Sequence, residues 1–499
     1  MAKLLIGIDV GTSGTKTIII DENGSIVRAK TVGYDTLVLK PGWSEMVVSK
    51  WWDAVVESLH SVLAGVDKSE LKGLSFSGQM HGMVALDENN EVIRPAILWN
   101  DVRTMPQCEE ITEKAGGLDG LLSYTNNQML PGYTGGKILW MKQYEPENFA
   151  RTKTIMLPKD YIRLMLTGLK MTEVSDASGL GFFDCKNRKY ARELIEKVGL
   201  DPNLFPECVE STALTGCVTK EAAEITGLPE GLPVVGGGGD AVIQTTGTGL
   251  VKPGVVGVVI GTSGNVSMGL DKYYENKGGL LQMFCNNAPN LWHAFGSTLC
   301  SGGSYKWFKD NLANGISYDE LNKLAEEAPL GCNGLFFLPY QAGERCPHND
   351  PNARGTFIGL SLLSDMGSMA RAVMEGVTFS LRSIIEIIAG LDPDIKVEKI
   401  IASGGATTSA FWRQLLADIF GVPVYTVSGA TEGGAYGAAL VAGVGVGVWP
   451  SVQDAISVLK EETVNYPNME NHEKYQKVYE TYCSLYYTLK PAFDRIAEL

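Results

Sequence analysis

A glycine-rich turn near the start of the chain carries side chains that suit phosphate chemistry. Asp9 ends an apolar run, Gly11-Thr12-Ser13-Gly14 follows it, and Lys16 lies just beyond. Successive backbone N–H groups in such a turn can hold an anion, with the hydroxyls and the lysine beside it. A carboxylate would repel phosphate directly, so Asp9 is better suited to holding a hydrated Mg²⁺. A hairpin turn without a ligand is the alternative interpretation.

The same tetrapeptide recurs half a chain later, as Gly261-Thr262-Ser263-Gly264 after a second apolar run. The first copy lacks the Gly-Lys-Ser/Thr ending of a Walker loop, so a P-loop is excluded there. Two turns related by duplication could face each other across a cleft and hold one polyphosphate from both sides. The repeat therefore favours phosphate binding at both turns over two unrelated hairpin turns.

A third chemical candidate is Asp240, which follows four consecutive glycines, Gly236–Gly239. The glycines let a carboxylate protrude into a cleft, where it could act as general base for a hydroxyl group. Two alternatives stay open at this point. Asp240 could cap the helix that follows it. Otherwise Gly236-x-Gly238-x-x-Ala241 could bind a dinucleotide, although a Rossmann site wants its acidic residue about 20 positions later.

Two short segments combine side chains that suit a small polar ligand. Gln79-Met80-His81 lies between two glycines at the end of a predicted strand, and could form the wall of a binding pocket. Trp99-Asn100-Asp101-x-Arg103 concentrates an aromatic plane with amide, carboxylate and guanidinium groups, a set suited to sugar faces and hydroxyls. A hydrogen-bonded histidine without a ligand and a surface turn with an Asp–Arg pair are the respective alternatives.

The segment Gly404-Gly405-Ala406 lies between a predicted strand and a predicted helix. Bare backbone at such glycines allows a flat group to lie close against the chain. Adenine is the natural candidate if the two repeated turns hold phosphates. A glycine-rich loop that only leads into a helix is the alternative.

Apolar runs and turn signals predict an α/β chain that places these residues on strand ends. A junction at 249–254 divides it into domains of residues 1–250 and 251–499. The uncharged stretch 433–453 is predicted to be a buried helix followed by a loop, since glycines and Pro450 interrupt it. The predicted strands are 4–8, 17–20, 25–31, 71–76, 232–235, 255–260 and 399–402, and the predicted helices include 51–63, 409–420 and 473–489.

Composition excludes several function classes. The chain has 42 Lys and Arg against 57 Asp and Glu, a net charge of −15 over 499 residues. This acidity argues against nucleic-acid binding and against adsorption to anionic membranes. The nine cysteines are scattered without a Cys-x-x-Cys pair, and Asp9 comes too early for a signal peptide. We expect a globular cytoplasmic protein.

With these residues in place, the sequence resembles the FGGY carbohydrate kinases over nearly its whole length. The resemblance implies two duplicated actin-like (RNase H-like) domains, with ATP and a sugar in the cleft between them. The matching segments are 8–14, 77–82, 94–101, 157–161, 236–240, 260–264, 338–340, 343–345 and 404–406.

The resemblance also implies roles for individual residues. Asp240 would be the catalytic base, and Asp9 would support activity and Mg²⁺, through water, with Asp240 as a possible further ligand. Met80, His81 and Trp99 would contact a ketose. The phosphate and adenosine contacts would come from two groups, Gly11, Thr12, Ser13 and Lys16 in the first half, and Gly261, Thr262, Ser263, Gly404, Gly405 and Ala406 in the second.

Two departures from the family pattern bear on the ligands. Ser409 stands where many relatives have an asparagine that meets adenine, and Ala241 stands where many have an asparagine after the base. The predicted reaction is ATP-dependent phosphorylation of the primary hydroxyl of a ketopentose, with D-xylulose first and ribulose, xylitol or glycerol as alternatives. A non-kinase actin-like ATPase and an NAD enzyme are the rival classes, and a homodimer is the candidate assembly.

Overall fold

The computed structural model of the protein describes residues 3–430 and 432–499, which form two compact units. Unit 1 contains the described residues of 1–251, 270–293 and 432–459, and unit 2 contains those of 252–269, 294–431 and 460–499. The chain leaves unit 1 beside the predicted junction but returns to it twice. The predicted second domain, residues 251–499, includes both returning segments, whereas the structure places them in unit 1.

The strands are β1 Leu4–Val10, β2 Gly14–Ile20, β3 Ile26–Gly33, β4 Glu45–Met46, β5 Leu71–Gly78, β6 Val84–Leu86, β7 Ala96–Ile97, β8 Thr154–Met156, β9 Met171–Glu173, β10 Phe183–Asp184, β11 Lys189–Tyr190, β12 Glu207–Val209, β13 Leu214–Cys217, β14 Pro233–Val235, β15 Gly238–Gly239, β16 Val255–Ile260, β17 Gly264–Leu270, β18 Gln282–Cys285, β19 Trp292–Thr298, β20 Phe336–Leu338, β21 Thr356–Ile358, β22 Lys399–Ser403, β23 Val424–Val427 and β24 Glu461–Asn465.

The α-helices are α1 Ser49–Leu63, α2 Met105–Ala115, α3 Gly117–Thr125, α4 Thr134–Tyr144, α5 Pro146–Arg151, α6 Pro158–Thr167, α7 Val174–Ala177, α8 Arg192–Val198, α9 Lys220–Thr226, α10 Asp240–Thr246, α11 Gly302–Asn311, α12 Tyr318–Glu327, α13 Met366–Ala389, α14 Ala410–Phe420, α15 Gly433–Gly445, α16 Val452–Ala455 and α17 Met469–Ala497.

The main sheet of unit 1 runs in the order β13-β14-β5-β1-β2-β3, and β15 also pairs with β5. β1 is antiparallel to β2 and parallel to β5, and β15 is parallel to β5. The predicted strand–turn–strand opening is thus confirmed, with the first repeated turn between β1 and β2. Because β1, β5 and β15 are parallel, their carboxyl ends lie at the same edge of the sheet.

Helices cover both faces of strand β1, which explains why its sequence is apolar at nearly every position. Leu4, Ile6, Ile8 and Val10 pack in the core that contains Trp51 and Val55 of α1. Leu5 points to the opposite face and packs with Ala435 and Ala439 of α15.

Close packing of α15 on β1 explains the glycine within the strand. A Cβ at Gly7 would lie only 1.9 Å from the carbonyl oxygen of Ala435, so the helix and the strand touch through their backbones. The prediction of a buried helix in 433–453 is confirmed, with α15 followed by a short loop. Within the described ranges no helix combines the length and apolar content needed to cross a membrane.

Unit 2 repeats the arrangement of strands around a glycine turn. β16 and β17 form an antiparallel hairpin with the second turn between them, and β22 is parallel to β16. β23 and β24 extend the sheet beyond β22. The helix predicted at 473–489 is confirmed as part of α17, in which Tyr475, Tyr479 and Tyr482 are buried.

Candidate active site

The parallel register in unit 1 brings three predicted chemical segments together. Asp9 on β1 pairs with Ser77 on β5, and Gly238 on β15 pairs with the same Ser77. Asp240 begins the next element after β15, and Gln79 to His81 follow directly after β5. Strand ends of this kind are where open α/β sheets bind their ligands.

Asp9 has one carboxylate oxygen, Oδ1, that is buried without a hydrogen-bond partner among the described residues. Burial raises the pKa of Asp9, and the neighbouring Ser77 hydroxyl and then the Lys16 ammonium lower it in part. A Cβ at Gly434 would come within 3.0 Å of Asp9 Oδ1, so the start of α15 lies directly beside the carboxylate. The side chain of Lys16 forms an ion pair with Glu432, the residue before that helix.

Asp240 is the first residue of α10, after Gly239 as N-cap. Its Oδ1 accepts a hydrogen bond from the N–H of Ala241 at 2.7 Å. Burial and the negative charge of Asp9 raise the pKa of Asp240 to about 7. The helix-cap interpretation is therefore wrong, since Gly239 occupies that position, and the carboxyl group stays available near neutral pH as acid or base.

The glycine run before Asp240 lies tightly against protein atoms. Gly237 has φ +84°, and a Cβ there would lie 2.2 Å from the carbonyl oxygen of Phe76 on β5. A Cβ at Gly238 would strike the Asn287 amide and one at Gly239 the Met80 side chain. Close packing against the protein's own atoms thus accounts for these glycines without the approach of a pyrophosphate that a dinucleotide fingerprint would need.

Polar side chains anchor this run from behind. Arg163 donates to the carbonyl oxygen of Gly236, and the N–H of Gly239 donates to Ser175 Oγ at 3.1 Å. Asn287 Nδ2 donates to Ser175 Oγ at 3.0 Å and to Ser211 Oγ at 3.1 Å. These bonds fix the backbone that presents Asp240.

Met80 and His81 differ in exposure. Met80 is 2% exposed and lies against Gly239, whereas His81 is partly exposed. His81 has a left-handed backbone with φ +69°. Its Nδ1 lies 2.6 Å from the carbonyl oxygen of Gly179, and its ring stacks on Tyr133 with centroids 4.5 Å apart. The ring is therefore held on two sides.

Trp99 is 47% exposed, and its indole N–H donates to Thr12 Oγ1 at 2.9 Å. Gln79 Nε2 donates to the carbonyl oxygen of Gly11 at 3.0 Å, and the Tyr34 hydroxyl donates to the same oxygen at 2.7 Å. The first repeated turn is thus tied to both segments that the sequence predicts to bind a small polar ligand.

Asp101 and Arg103, by contrast, form a buried support. Arg103 Nε lies 2.9 Å from Asp101 Oδ1, and its guanidinium carbon lies 3.5 Å from the centre of the Trp43 ring. The Asp101 side chain is fully buried and also accepts from the N–H of Ser44 at 2.7 Å. The pair is therefore neither a surface turn nor open to a ligand, and Trp99 is the exposed member of the segment.

In unit 2 the second turn is closed by backbone bonds. The N–H of Gly261 donates to the carbonyl oxygen of Ser263 at 3.0 Å, and the Thr262 carbonyl oxygen accepts from Ser301 and Gly303 at 2.9 and 3.1 Å. Ile260 pairs with Gly264 across this turn, whereas Val10 pairs with Thr15 across the first. The second turn is therefore one residue tighter than the first, despite the identical tetrapeptide.

The predicted adenosine loop follows β22, beside the second turn. Gly404 has φ +93°, and a Cβ there would lie 2.5 Å from the carbonyl oxygen of Ile260. Gly405 and Ala406 begin a short 3₁₀ turn. Ser409 is the N-cap of α14, where its Oγ accepts from the N–H of Trp412 at 3.2 Å. Its hydroxyl is thus engaged within the protein, and a contact with adenine stays a prediction.

The sequence did not identify several residues that shape the site. Lys137 on α4 is fully buried and donates to the carbonyl oxygen of His81 at 2.6 Å. Lys159 is buried with Asp160 and Asp176 at 2.7 and 3.1 Å. Burial alone would lower the pKa of Lys159, but the carboxylates of Asp160, Asp176 and Glu173 together raise it. The sequence did hold one signal for these lysines, since each is a charged residue among apolar residues of a helix. Such a residue indicates a buried polar contact.

Comparison with known proteins identifies the family. The FGGY family of carbohydrate kinases matches residues 4–247 with its N-terminal domain and residues 256–446 with its C-terminal domain. The chain belongs to the FGGY family of carbohydrate kinases. It is accordingly a sugar kinase, a phosphotransferase that uses ATP, built on the two-domain α/β fold of that family.

Individual relatives cover the chain from end to end. The xylulose kinase of Bacillus subtilis is 36% identical over 97% of this chain and 97% of its own. The crystal structure of xylulose kinase from Rhodospirillum rubrum has a TM-score of 0.92 at 28% identity, covering 99% of this chain and 100% of its own. The crystal structure of gluconate kinase from Lactobacillus acidophilus also gives 0.92, at 27% identity, with the same coverage.

Proposed function

We propose that the protein transfers the γ-phosphoryl group of ATP to the primary hydroxyl of D-xylulose, giving D-xylulose 5-phosphate. The observation that carries the proposal is Asp240, a carboxyl group with a pKa of about 7 at the strand edge that also holds His81. The names of the full-length relatives support the choice of sugar, since the curated relative from Bacillus subtilis is a xylulose kinase. Similarity of fold alone does not identify the sugar, because the structure of a gluconate kinase matches this chain equally well.

Asp240 performs the proton transfer in the proposed reaction. The hydroxyl oxygen of the sugar attacks the γ-phosphorus in line, and its proton passes to the Asp240 carboxylate. A new oxygen–phosphorus bond forms while the bond from the γ-phosphorus to the bridging oxygen breaks, and ADP leaves with that electron pair. A base with a pKa near the working pH is both ionised in part and basic enough to accept the proton.

Met80, His81 and Trp99 position the sugar in this proposal. His81, which is partly exposed, carries an imidazole group, and Trp99, which is 47% exposed, carries a flat aromatic ring. Positioning of this kind supplies most of the acceleration in phosphoryl transfer, because the enzyme has little covalent chemistry to do.

The residues around Asp9 fit a magnesium ion. The described part of the chain holds no cluster of three or more His, Cys, Asp or Glu side chains that could hold a metal by themselves. Mg²⁺ is usually held by one or two carboxylates together with water and substrate phosphates. The unpartnered Asp9 Oδ1, with Asp240 nearby, is such a donor set. When bound, the ion would neutralise the negative charge of the phosphates.

The contacts to ATP are proposed for three segments. Gly11, Thr12 and Ser13 form the first, and Lys16 would contribute there only by leaving Glu432. Gly261, Thr262 and Ser263 form the second, for phosphate, and Gly404, Gly405 and Ala406 form the third, for adenosine. Side-chain hydrogen bonds to the Gly11 carbonyl oxygen fix the first turn, and the backbone bonds described above fix the second.

Release of ADP across a panel of acceptors tests the proposed substrate. The panel contains D-xylulose, ribulose, xylitol, glycerol and gluconate, each at equal concentration with MgATP. We expect the highest kcat/KM with D-xylulose and slow ADP release without any acceptor. A higher value with gluconate or a polyol would replace the proposed sugar but keep the kinase, whereas ADP release that ignores every acceptor would contradict the kinase proposal.

The proposed assembly is a homodimer in the cytoplasm. Light scattering after gel filtration distinguishes a monomer of 53.9 kDa from a particle of twice that mass. A monomer at all concentrations used in the assay would overturn the assembly and leave the proposed reaction unaffected.

A further inference from the structure

The turn that presents His81 adopts a backbone conformation that histidine seldom takes. Its φ of +69° lies in the left-handed region, which non-glycine residues enter only where the surroundings hold them. The ring and the backbone carbonyl of His81 point to different partners. The ring meets Gly179 and Tyr133, as described above, and the carbonyl oxygen points to α4.

Two side chains of α4 donate to that carbonyl oxygen. Lys137 Nζ lies 2.6 Å from it, and Thr134 Oγ1 lies 3.0 Å from it. Both side chains are fully buried. Helical spacing explains the pair, because residues three apart lie on the same face of a helix.

Lys137 also reaches the segment that supports Trp99. Its Nζ donates to the carbonyl oxygen of Gly132 at 2.6 Å. A Cβ at Gly132 would lie 2.7 Å from the carbonyl oxygen of Trp99, so the two backbones are in direct contact. One ammonium group therefore fixes the backbone at His81 and the backbone against Trp99.

The environment of Lys137 suits a hydrogen-bonding role. Burial lowers the pKa of its ammonium group to about 7, while Asp101 and Cys108 oppose this shift and Arg103 adds to it. The buried ammonium group is held mainly by its hydrogen bonds to two backbone carbonyl oxygens, those of His81 and Gly132. An ammonium group has three donors, so it can serve both oxygens at once.

We propose that Lys137 and Thr134 are positioning residues that set the geometry of the sugar-binding wall, by holding the His81 carbonyl and, through Gly132, the backbone beside Trp99. The inference rests on the proposed function insofar as His81 and Trp99 contact the sugar. It adds a specificity role for α4, whose own side chains at these two positions would not touch the substrate. Loss of either donor should therefore change sugar binding before it changes ATP binding.

A pair of substitutions at position 134 gives the first test. Thr134→Val removes the hydroxyl with little change of shape, and Thr134→Ser keeps it. We expect Thr134→Val to raise the KM for the sugar about three- to tenfold, because the carbonyl oxygen of His81 loses one of its two donors. The KM for ATP should stay unchanged, and Thr134→Ser should behave like the unaltered protein. Equal behaviour of the two variants would overturn the role of Thr134.

A second pair uses the two lysines of α4. Lys137→Met removes the buried ammonium, and Lys142→Met is the matched control, since Lys142 lies on the same helix and donates to the distant Gly199 carbonyl. We expect an increase in sugar KM of about tenfold or more for Lys137→Met, since the carbonyl oxygens of His81 and Gly132 each lose a donor. The control should change neither constant. An equal loss for sugar and ATP would show general damage and would overturn the proposal.

Histidine side-chain NMR of ¹⁵N-labelled protein makes the test independent of catalysis. His81 is one of five histidines, and its ring signals are assigned from their absence in His81→Gln. We expect Lys137→Met and Thr134→Val to shift the His81 signals and to leave those of His293 and His348 in place. Unshifted His81 signals would overturn the positioning role, even if the protein proved to act on a sugar other than D-xylulose or on none.

Discussion

Asp240 combines a role in proton transfer with an unfavourable place for its own charge. Burial and Asp9 raise its pKa from the ordinary 3.8 to about 7, so folding favours the protonated acid over the carboxylate. A base must be ionised to accept a proton, and the same surroundings that tune its pKa oppose that ionisation. At the residue scale, therefore, the chemistry and the stability of this protein depend on the same side chain in opposite directions.

Replacing Asp240 with asparagine tests its role in the reaction. The substitution keeps the shape but removes the proton acceptor, so kcat should fall about 10²–10⁴-fold, the usual contribution of general base catalysis. The affinity for a non-hydrolysable ATP analogue, measured by calorimetry without Mg²⁺, should stay within about twofold because the turns proposed to bind the phosphates lie elsewhere. Turnover close to normal in Asp240→Asn would remove Asp240 from the mechanism.

The same substitution should stabilise the protein at alkaline pH. Below about pH 4 the carboxyl group is protonated in both the folded and the unfolded chain. Between about pH 4 and 7 the unfolded chain loses this proton while the folded chain keeps it, so the free energy of unfolding falls as pH rises. Asp240→Asn should therefore be more stable than the unaltered protein at pH 8, by about 2 kcal/mol after allowance for partial exposure, and equally stable at pH 4. Chemical denaturation at pH 4 and pH 8 measures the free energy of unfolding of both proteins. If the variant and the unaltered protein differed by the same amount at the two pH values, the raised pKa of Asp240 would be contradicted.

At the element scale, the glycine run between β14 and α10 shows how a loop can place one carboxylate. Gly237 passes so close to the backbone of Phe76 that no side chain fits, and the polar groups behind the run fix its path. Because β15 continues this run as a strand beside β5, the position of Asp240 follows from strand pairing. A change in the run should then act on both folding and catalysis.

Two glycine substitutions separate packing from backbone strain. Gly237→Ala and Gly231→Ala both place alanine at a positive φ, of +84° and +80° respectively, but only the first would meet other atoms within 4 Å. The left-handed conformation should cost each variant about 1–2 kcal/mol. Gly237→Ala should lose about 1–3 kcal/mol more through overpacking, together with most of its activity. Thermal unfolding and ADP release measure both effects, and similar losses in the two variants would argue against close packing at Gly237.

Local sequence patterns predicted the strands on either side of the repeated turns, because strands such as β1 and β16 are apolar runs that end in glycine turns. The same patterns led to Asp9 and Asp240, since a carboxylate next to glycines is a local signal. Register and long-range contacts were not predictable in this way. Nothing near Lys16 indicates that its side chain pairs with Glu432, and nothing near Arg103 indicates that its guanidinium lies over the Trp43 ring. These contacts depend on which distant segments come together in the fold. The spacing of residues along one sequence does not show which segments those are.

For the whole molecule, the net charge of −15 constrains how an anionic nucleotide can bind. A protein of this charge repels ATP at long range, so attraction must come from groups within a few ångströms of the phosphates. Backbone N–H groups of the two glycine turns, with a bound metal ion, are such groups. Short-range contacts of this kind are screened little by salt, unlike a positive surface.

Salt dependence tests this account of nucleotide binding. We expect the KM for MgATP to change less than about threefold as ionic strength rises from about 0.05 to 0.3 M, because the Debye length shortens without reaching the direct contacts. The comparison is made with KCl at constant pH and free Mg²⁺, and with the sugar at saturation. An increase in KM of more than about tenfold would indicate attraction by a positive surface and contradict the proposed turns.

The return of α15 to unit 1 has a consequence for how the protein is made. One face of the first hairpin, with Leu5, Ile18 and Ile20, is covered by α15 and the segment that follows it. On the ribosome these side chains are synthesised near the start of the chain. The helix α15 that covers them is synthesised only after the whole intervening stretch. At about 5–20 residues per second, synthesis of the roughly 410 residues between Ile20 and the start of α15 leaves this apolar face uncovered for about 20–80 s. The opening strands of the newborn enzyme are thus candidates for chaperone binding until translation is almost complete.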